Sequence, residues 1–248
     1  MRVALFATCI ADQIFPHVAV STVKLLRHLG VKVEFPEAQS CCGQPAYNAG
    51  YHQESREIAL HHIKLFTGYD YVILPSGSCG AMVKHYPDLF VEQPENYAKA
   101  RHLAERTFEV TTFIHQVLGR EDIGADLEGL NITYHDSCHA LRLMHVSEAP
   151  RALLKAAGAN ILEAEGHDTC CGFGGLFSVK MAEISSAMAK AKFQGIKDSK
   201  AQILSSTDAG CLMQLEGSLR RSGEKIEVRH VVDLLWQGVE AKSQMQEV

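Results

Sequence analysis

The chain has 248 residues, a net charge of −5 and a pI of about 6.2. This acidic balance excludes the basic surface that would attract nucleic acid or anionic lipid. Hydrophobic residues make up 46% of the chain, enough for a large core, yet no apolar run approaches the roughly 20 residues that span a bilayer. The N-terminal residues lack the cleavage site of a signal peptide, so a cytoplasmic location is expected.

Short apolar or β-branched runs alternate with helical patterns along the chain. The predicted strands lie in VALFAT, VKVEF and YVILP in the first half, and in NITYH, NILEA and QILSS in the second. Between them, segments such as PHVAVSTVKLLRHLG and EISSAMAKAKFQGIKD repeat apolar residues at helical spacing. This alternation predicts an α/β fold of two tandem Rossmann-like units, each a small, mainly parallel sheet of three or four strands with flanking helices.

The eight cysteines fall into two matched sets of four. Each set has the order C…CCG…C, and 32 positions separate its first two cysteines. The surroundings match as well, since RVALFATC parallels NITYHDSC and FEVTTFIHQVLG parallels IEVRHVVDLLWQG. We therefore predict a duplication, with a first unit at residues 1–124 and a second at 125–248, joined by the polar link GREDIGADLEGLN. An insertion at residues 86–105 of the first copy is expected to form a helix or a long loop.

The cysteines are predicted to bind a metal group rather than to form disulfides. A chain of this size without an export signal is expected in a reducing compartment, where a dense cysteine pattern indicates metal or redox chemistry. On the predicted topology the cysteines gather at the carboxyl ends of the strands, which is where open α/β sheets bind ligands. The expected metal ligands are Cys9, Cys41, Cys42, Cys79, Cys138, Cys170, Cys171 and Cys211.

The spacing favours an iron–sulfur cluster in each set. The C-x₂₋₄-C knuckles of structural zinc sites are missing, and adjacent cysteines chelate one tetrahedral ion poorly. Zinc and metal-free thiol redox chemistry remain as alternatives. Glycines beside the cysteines are expected to bring backbone N–H groups close to the sulfurs, although an ordinary turn is the alternative for the last two of them. These candidate cofactor-binding residues are Gly43, Gly172, Gly174 and Gly175.

With CCG in both halves, the sequence resembles the CCG cysteine-rich family. Its members include the B subunit of heterodisulfide reductase and the iron–sulfur subunits of glycolate oxidase and anaerobic glycerol-3-phosphate dehydrogenase. The resemblance rests on FATCIADQIFP, CCGQP, PSGSCGAMV, YHDSCH, TCCGFGGLFSVK and DAGCLMQL. It implies one [4Fe-4S]-type cluster per unit, which aerobic handling can remove.

Within that family, a chain of this length with both copies and no ferredoxin-like module is most similar to the small iron–sulfur subunit of a bacterial L-lactate oxidation system. The resemblance implies an electron-transfer subunit of a complex that oxidises L-lactate or another 2-hydroxy acid, rather than a complete enzyme. The implied partners are the other subunits of that system, including iron–sulfur proteins. Two alternatives are a heterodisulfide-reductase-like thiol/disulfide oxidoreductase and a zinc-binding structural module.

The sequence departs from the family pattern at one position in each half. The fuller motif ends in CxxC, and Ser76 and Asp208 stand where its first cysteine would be. This departure argues against a reaction that needs the fifth cysteine. Each of the two residues is expected to cap the following helix, with an oxygen ligand to iron as the alternative.

Several polar residues near the cysteines are further candidates. His135, His139 and His145 surround Cys138, and His139 is favoured for a hydrogen bond to sulfur or backbone over direct ligation. Asp136 is expected to cap the helix that follows. In the first half, residues 61 and 62 are both histidines and are expected at the surface or its boundary. The nucleotide fingerprint GxGxxG and the hydrolase elbow GxSxG do not occur.

Overall fold

The computed structural model describes residues 1–246, which form two parallel sheets of the same design. The strands are β1 (Val3–Leu5), β2 (Val33–Glu34), β3 (Tyr71–Leu74), β4 (Thr107–Glu109), β5 (Asn131–Tyr134), β6 (Asn160–Ile161), β7 (Ile203–Ser206) and β8 (Glu227–His230). The strand order is β2-β1-β3-β4 in one sheet and β6-β5-β7-β8 in the other. Every named strand pair is parallel, which confirms the predicted α/β class.

Helices flank both sheets. They are α1 (Cys9–Ile14), α2 (Pro16–His28), α3 (Gln44–Asn48), α4 (His52–Leu65), α5 (Gly77–His85), α6 (Pro94–Glu105), α7 (Val110–Thr112), α8 (Cys138–Met144), α9 (Glu148–Ala156), α10 (Leu176–Lys180), α11 (Ala182–Asp198), α12 (Ala209–Arg221) and α13 (Val231–Gln246). The insertion of the first copy forms a 3₁₀ helix (Tyr86–Phe90) and α6. A π-helix (Phe113–Val117) continues α7. No helix within residues 1–246 is both long and apolar enough to cross a membrane.

The fourth strand of each sheet lies in the paired segments FEVTTFIHQVLG and IEVRHVVDLLWQG. These segments match as repeats, but their strands were not among those predicted from the sequence. β4 and β8 have three and four residues, and each runs directly into a helix that begins at Val110 or Val231. Because the strands are so short, the apolar pattern of the following helix dominates these segments.

One hydrophobic core extends through both halves of the chain. It joins residues of the first sheet, such as Leu5, to residues of the second, such as Ile132. Ile123, Ala125 and Leu127 are also buried in this core, although they belong to the segment predicted as a polar link. The proposed boundary between residues 124 and 125 therefore lies in a packed segment and not in an exposed linker.

The last helical segment of each half packs against the other half. α13 lies against α2 of the first half, and residues 110–117 lie against α9 of the second. At the α2–α13 contact, Lys24 Nζ lies 3.3 Å from Glu240 Oε1 and 5.4 Å from the centre of the Trp236 ring. Because each half packs its last helical segment against a helix of the other half, the two halves are joined at both of these contacts. Just past β3 and β7, Ser76 and Asp208 pair in an antiparallel bridge.

Candidate metal centres

Four cysteines lie at the amino-terminal ends of helices that follow strands. Cys9 and Cys138 are the first residues of α1 and α8, and Cys79 and Cys211 are the third residues of α5 and α12. The first turn of a helix carries N–H groups without intrahelical partners and the positive end of the helix dipole, both of which stabilise a thiolate. The topology therefore places these sulfurs beside backbone N–H groups that have no partner within their own helix.

The adjacent cysteine pairs lie in the loops that precede α3 and α10. The glycine after each pair has a left-handed backbone, with φ of +88° at Gly43 and +86° at Gly172. At Gly172 a Cβ would lie 2.6 Å from the backbone oxygen of Ser185, so a side chain does not fit. The N–H of this glycine donates to Cys170 Sγ at 3.4 Å, and the backbone of Gly43 lowers the pKa of Cys41.

All eight cysteines line one cavity of about 140 Å³ between the halves, and all eight thiols are free. Gly174 and Gly175 line the same cavity. Within the second set, the sulfurs of Cys138 and Cys170 are 4.0 Å apart, and the neighbouring thiols of Cys170 and Cys211 raise the pKa of Cys171. In the first set, the neighbouring thiols of Cys41 and Cys79 raise the pKa of Cys42 in the same way. The structure thus brings together the sulfurs that the sequence placed in each set.

The first cysteine of each adjacent pair is the preferred thiolate of its set. Cys41 and Cys170 each accept hydrogen bonds from two other thiols of the same set, and these bonds lower the pKa of the accepting thiol. The backbone N–H of the following glycine acts in the same direction. The thiols that donate to them have raised pKa values, because deprotonation would break these bonds and charge a buried group. Each set therefore concentrates negative charge at one sulfur, in the form that binds metal.

Ser76 and Asp208 connect the two halves at the cavity. Ser76 Oγ accepts from the N–H of Cys79 at 3.3 Å, which is the expected cap of α5. Asp208 makes no such bond to its own helix α12. Its Oδ2 instead accepts from the N–H of Ser78 at 2.8 Å and from the Ser76 hydroxyl at 3.3 Å. The expectation that Asp208 caps the helix after it was therefore wrong, since this carboxylate caps the helix of the other half.

Two of the three candidate histidines near Cys138 lie close to its sulfur set. Nδ1 of His139 lies 3.7 Å from Cys138 Sγ, which fits the expected hydrogen bond to sulfur. His135 is buried behind the set, and a ring nitrogen of this residue and the sulfurs of Cys171 and Cys211 all lie within 4.8 Å of one another. Burial, and the positive charge of nearby Lys192, lower the pKa of His135 to about 3. The third histidine, His145, is exposed and ends α8.

His62 lies in the core and not at the surface, contrary to the sequence prediction. Its side chain is fully buried, where Nδ1 donates to the Tyr86 hydroxyl at 2.8 Å and Nε2 accepts from Ser40 Oγ at 3.2 Å. Tyr86 in turn donates to the carbonyl oxygen of Cys42 at 2.9 Å. Burial lowers the pKa of His62 to about 4, so the ring is neutral near pH 7. This chain of bonds holds the loop that carries Cys41 and Cys42.

Asp136 does not cap α8, because its side chain is buried in an ion-pair network. Arg151 donates to both carboxylate oxygens at 2.7 and 2.8 Å, and His167 Nδ1 lies 2.7 Å from Oδ2. Burial alone would raise the pKa of Asp136, but the hydrogen bonds and charge of Arg151 outweigh it and lower the pKa. The network ties the segment before Cys138 to the loop before Cys170.

A family model described as "Cysteine-rich domain" (CCG) matches residues 3–84 and again residues 132–216. These two stretches contain all eight cysteines. The chain belongs to the CCG cysteine-rich domain family. Its curated relatives include "Lactate utilization protein A" of Geobacillus sp. (strain WCH70), which is 48% identical over 95% of this chain and 99% of the relative. The protein of the same name from Macrococcus caseolyticus (strain JCSC5402) is 46% identical over 97% and 98% of the two chains.

Among solved structures, a hypothetical protein from Helicobacter pylori has a similar fold. The two superpose with a TM-score of 0.70 at 10% sequence identity. The match covers 96% of this chain and 49% of that one, so the CCG chain spans about half of that protein. At this identity the similarity shows a shared fold alone.

Proposed function

We propose that the chain is an iron–sulfur electron-transfer subunit of a bacterial lactate-oxidising system. The observation that carries this proposal is the convergence of two complete thiol sets on one cavity at the carboxyl ends of the two sheets. The names of the relatives support lactate as the substrate of the system. The proposed partners are the other proteins of that system, and the proposed cofactor is one [4Fe-4S]-type cluster per cysteine set.

The donor chemistry of each set fits an iron–sulfur cluster. Each set offers four thiols that line one cavity, and one thiol of each set has a lowered pKa, to which the backbone of the following glycine contributes. When bound, such a cluster takes up and gives back one electron at a time. The first cluster would be held by Cys9, Cys41, Cys42 and Cys79, and the second by Cys138, Cys170, Cys171 and Cys211.

Two centres in one chain match the electron count of the proposed reaction. Oxidation of lactate to pyruvate releases two electrons and two protons, so two one-electron centres accommodate both electrons. We place lactate oxidation on a partner protein, because neither half has a nucleotide fingerprint that would supply a hydride acceptor. The role of this chain is to hold the two centres at one cavity.

The proposal is tested by following the reduction of the purified protein. The protein is prepared without oxygen and added to an extract of cells that lack its gene and were grown on another carbon source with lactate present. We expect L-lactate to bleach its visible absorbance, and the variants C42A and C171A to lose part of that response. The variant K99A, at an exposed position of α6, serves as a control that should behave as wild type. A protein whose absorbance does not change with lactate but that reduces a disulfide would contradict the proposal and favour the thiol/disulfide alternative.

A further inference from the structure

The second half contains a buried histidine nitrogen without a hydrogen-bond partner. His135 follows directly after β5, and its side chain is almost fully buried. Its Nδ1 lies 3.1 Å from the carbonyl oxygen of His167. Among residues 1–246, its Nε2 has no hydrogen-bond partner. An unpaired buried nitrogen is costly, so its presence calls for an explanation.

The contact between His135 Nδ1 and the carbonyl oxygen of His167 determines the protonation state of Nε2. A carbonyl oxygen only accepts hydrogen bonds, so Nδ1 carries the hydrogen. In the neutral ring Nε2 therefore holds a free lone pair and cannot donate. A backbone carbonyl that fixes Nδ1–H in this way is also the usual means of orienting a metal-binding histidine.

The imidazole ring of His135 lies beside two of the proposed metal ligands. A ring nitrogen of His135 and the sulfurs of Cys171 and Cys211 are all within 4.8 Å of one another, and all three residues are buried. Because the carbonyl of His167 occupies Nδ1, the nitrogen available to a metal is Nε2. We infer that His135 Nε2 is a ligand, together with Cys171 and Cys211, of the metal group that the second cysteine set holds. In taking this group to contain iron, the inference rests on the proposed function.

The first half has no equivalent of this nitrogen. Phe6 occupies the position that matches His135 in the aligned segments RVALFATC and NITYHDSC. The Phe6 ring packs against the rings of His62 and Phe66, at centroid distances of 4.9 and 5.5 Å. Both ring nitrogens of His62 already have partners in Tyr86 and Ser40. The first centre is therefore bound by thiolates alone, whereas the second has mixed sulfur and nitrogen ligation.

This difference also bears on the missing fifth cysteine. Asp208 stands at that position in the second half, but its Oδ2 accepts a hydrogen bond from the N–H of Ser78 at the amino terminus of α5. His135 brings the second half back to five protein donors, while the first half keeps four. The two centres are then expected to have distinct spectroscopic signatures, and only one of them should couple to nitrogen.

Pulsed EPR on the anaerobic holoprotein tests the inference. Each centre is placed in its paramagnetic state, and protein with natural-abundance histidine is compared with protein carrying ¹⁵N-histidine. We expect one centre to show the coupling of a directly bonded nitrogen, and the isotope to change it. The coupling should be lost in H135F, which installs the residue of the first half, and kept in H102Q, which alters an exposed histidine of α6.

Iron and acid-labile sulfide are measured on the same samples, so that two failures can be told apart. Clusters present without a directly bonded nitrogen would overturn the inference and leave the proposed function standing. A protein without iron would overturn the proposed function itself. If H135F does not fold, the isotope comparison in wild type decides alone, because it needs no variant.

Discussion

Replacing Gly77 with alanine is expected to break the contact that brings the two cysteine sets together. Gly77 is the first residue of α5, and it meets Ala140 in the middle of α8. A Cβ on Gly77 would lie 2.2 Å from Ala140 Cβ and 2.8 Å from its Cα. The obstacle includes backbone, so relief requires a shift of α8, the helix that begins at Cys138.

The size of the effect follows from the packing. Adding a methyl group to a filled core costs about 1–3 kcal/mol when side chains or backbone must move. Because backbone must move here, we expect G77A to lower the free energy of unfolding by about 3 kcal/mol, at the upper end of that range. Gly217 in α12 provides the matched control, since a Cβ at this position would have no heavy atom within 4 Å. G217A should stabilise the protein by about 0.5–1 kcal/mol, because alanine is the better helix former.

Urea unfolding of both variants under reducing conditions measures this difference directly. We also expect G77A to retain less metal in the second set, because a displaced α8 carries Cys138 with it. Wild-type stability in G77A, or a change of the same sign and size as in G217A, would refute the role assigned to the α5–α8 contact.

Three further substitutions test the surroundings of the site. R151A leaves the buried Asp136 without its bidentate partner and should cost about 3–5 kcal/mol in urea unfolding; a loss below about 1 kcal/mol would show that the remaining contacts suffice. D208A removes one of the two side-chain acceptors at the amino terminus of α5, leaves that of Ser76, and should cost about 1 kcal/mol while iron content stays constant; lost iron would instead show that this carboxylate is a ligand. Y86F leaves the carbonyl of Cys42 unpaired and should cost about 1–3 kcal/mol; unchanged stability would contradict the role of that hydrogen bond.

The sequence was most informative where the two copies place the same metal-binding residues at equivalent positions. The matched order C…CCG…C predicted that Cys9 and Cys138 take equivalent places at helix starts, and the structure has them there. The alternation of strands with helical segments likewise predicted the parallel sheets, because a helix between two strands lets the second strand run in the same direction as the first. Such features are local, or they recur at fixed spacing, so one chain is enough to reveal them.

Contacts between the halves were not predictable in the same way. The burial of Ile123 in the apparent link, and the reach of Asp208 to the helix of the other half, depend on how the two units pack. The spacing of apolar residues along one segment does not show how that segment packs against the other half. His62 was misplaced for a similar reason, since its burial depends on Tyr86 in the insertion.

His135 is different, because the sequence did hold a signal for it. Aligning the two copies sets His135 opposite Phe6, so a polar residue replaces an apolar one at the end of a buried strand. The same alignment sets His139 opposite Ile10, so it marks both histidines as differences between the copies and does not choose between them. The structure adds what the alignment lacks, namely the partner that fixes Nδ1 and the sulfurs that lie near the ring.

The central claim is that each cysteine set holds its own iron–sulfur cluster, and anaerobic metal analysis with EPR tests it most directly. The proposal predicts about eight iron atoms and eight sulfide ions per chain, since each [4Fe-4S]-type cluster holds four of each. C42A and C171A should each lose about half of that content, and each should lose a different EPR signal. Zinc in place of iron, or eight metal-free thiols in protein prepared entirely without oxygen, would contradict the account.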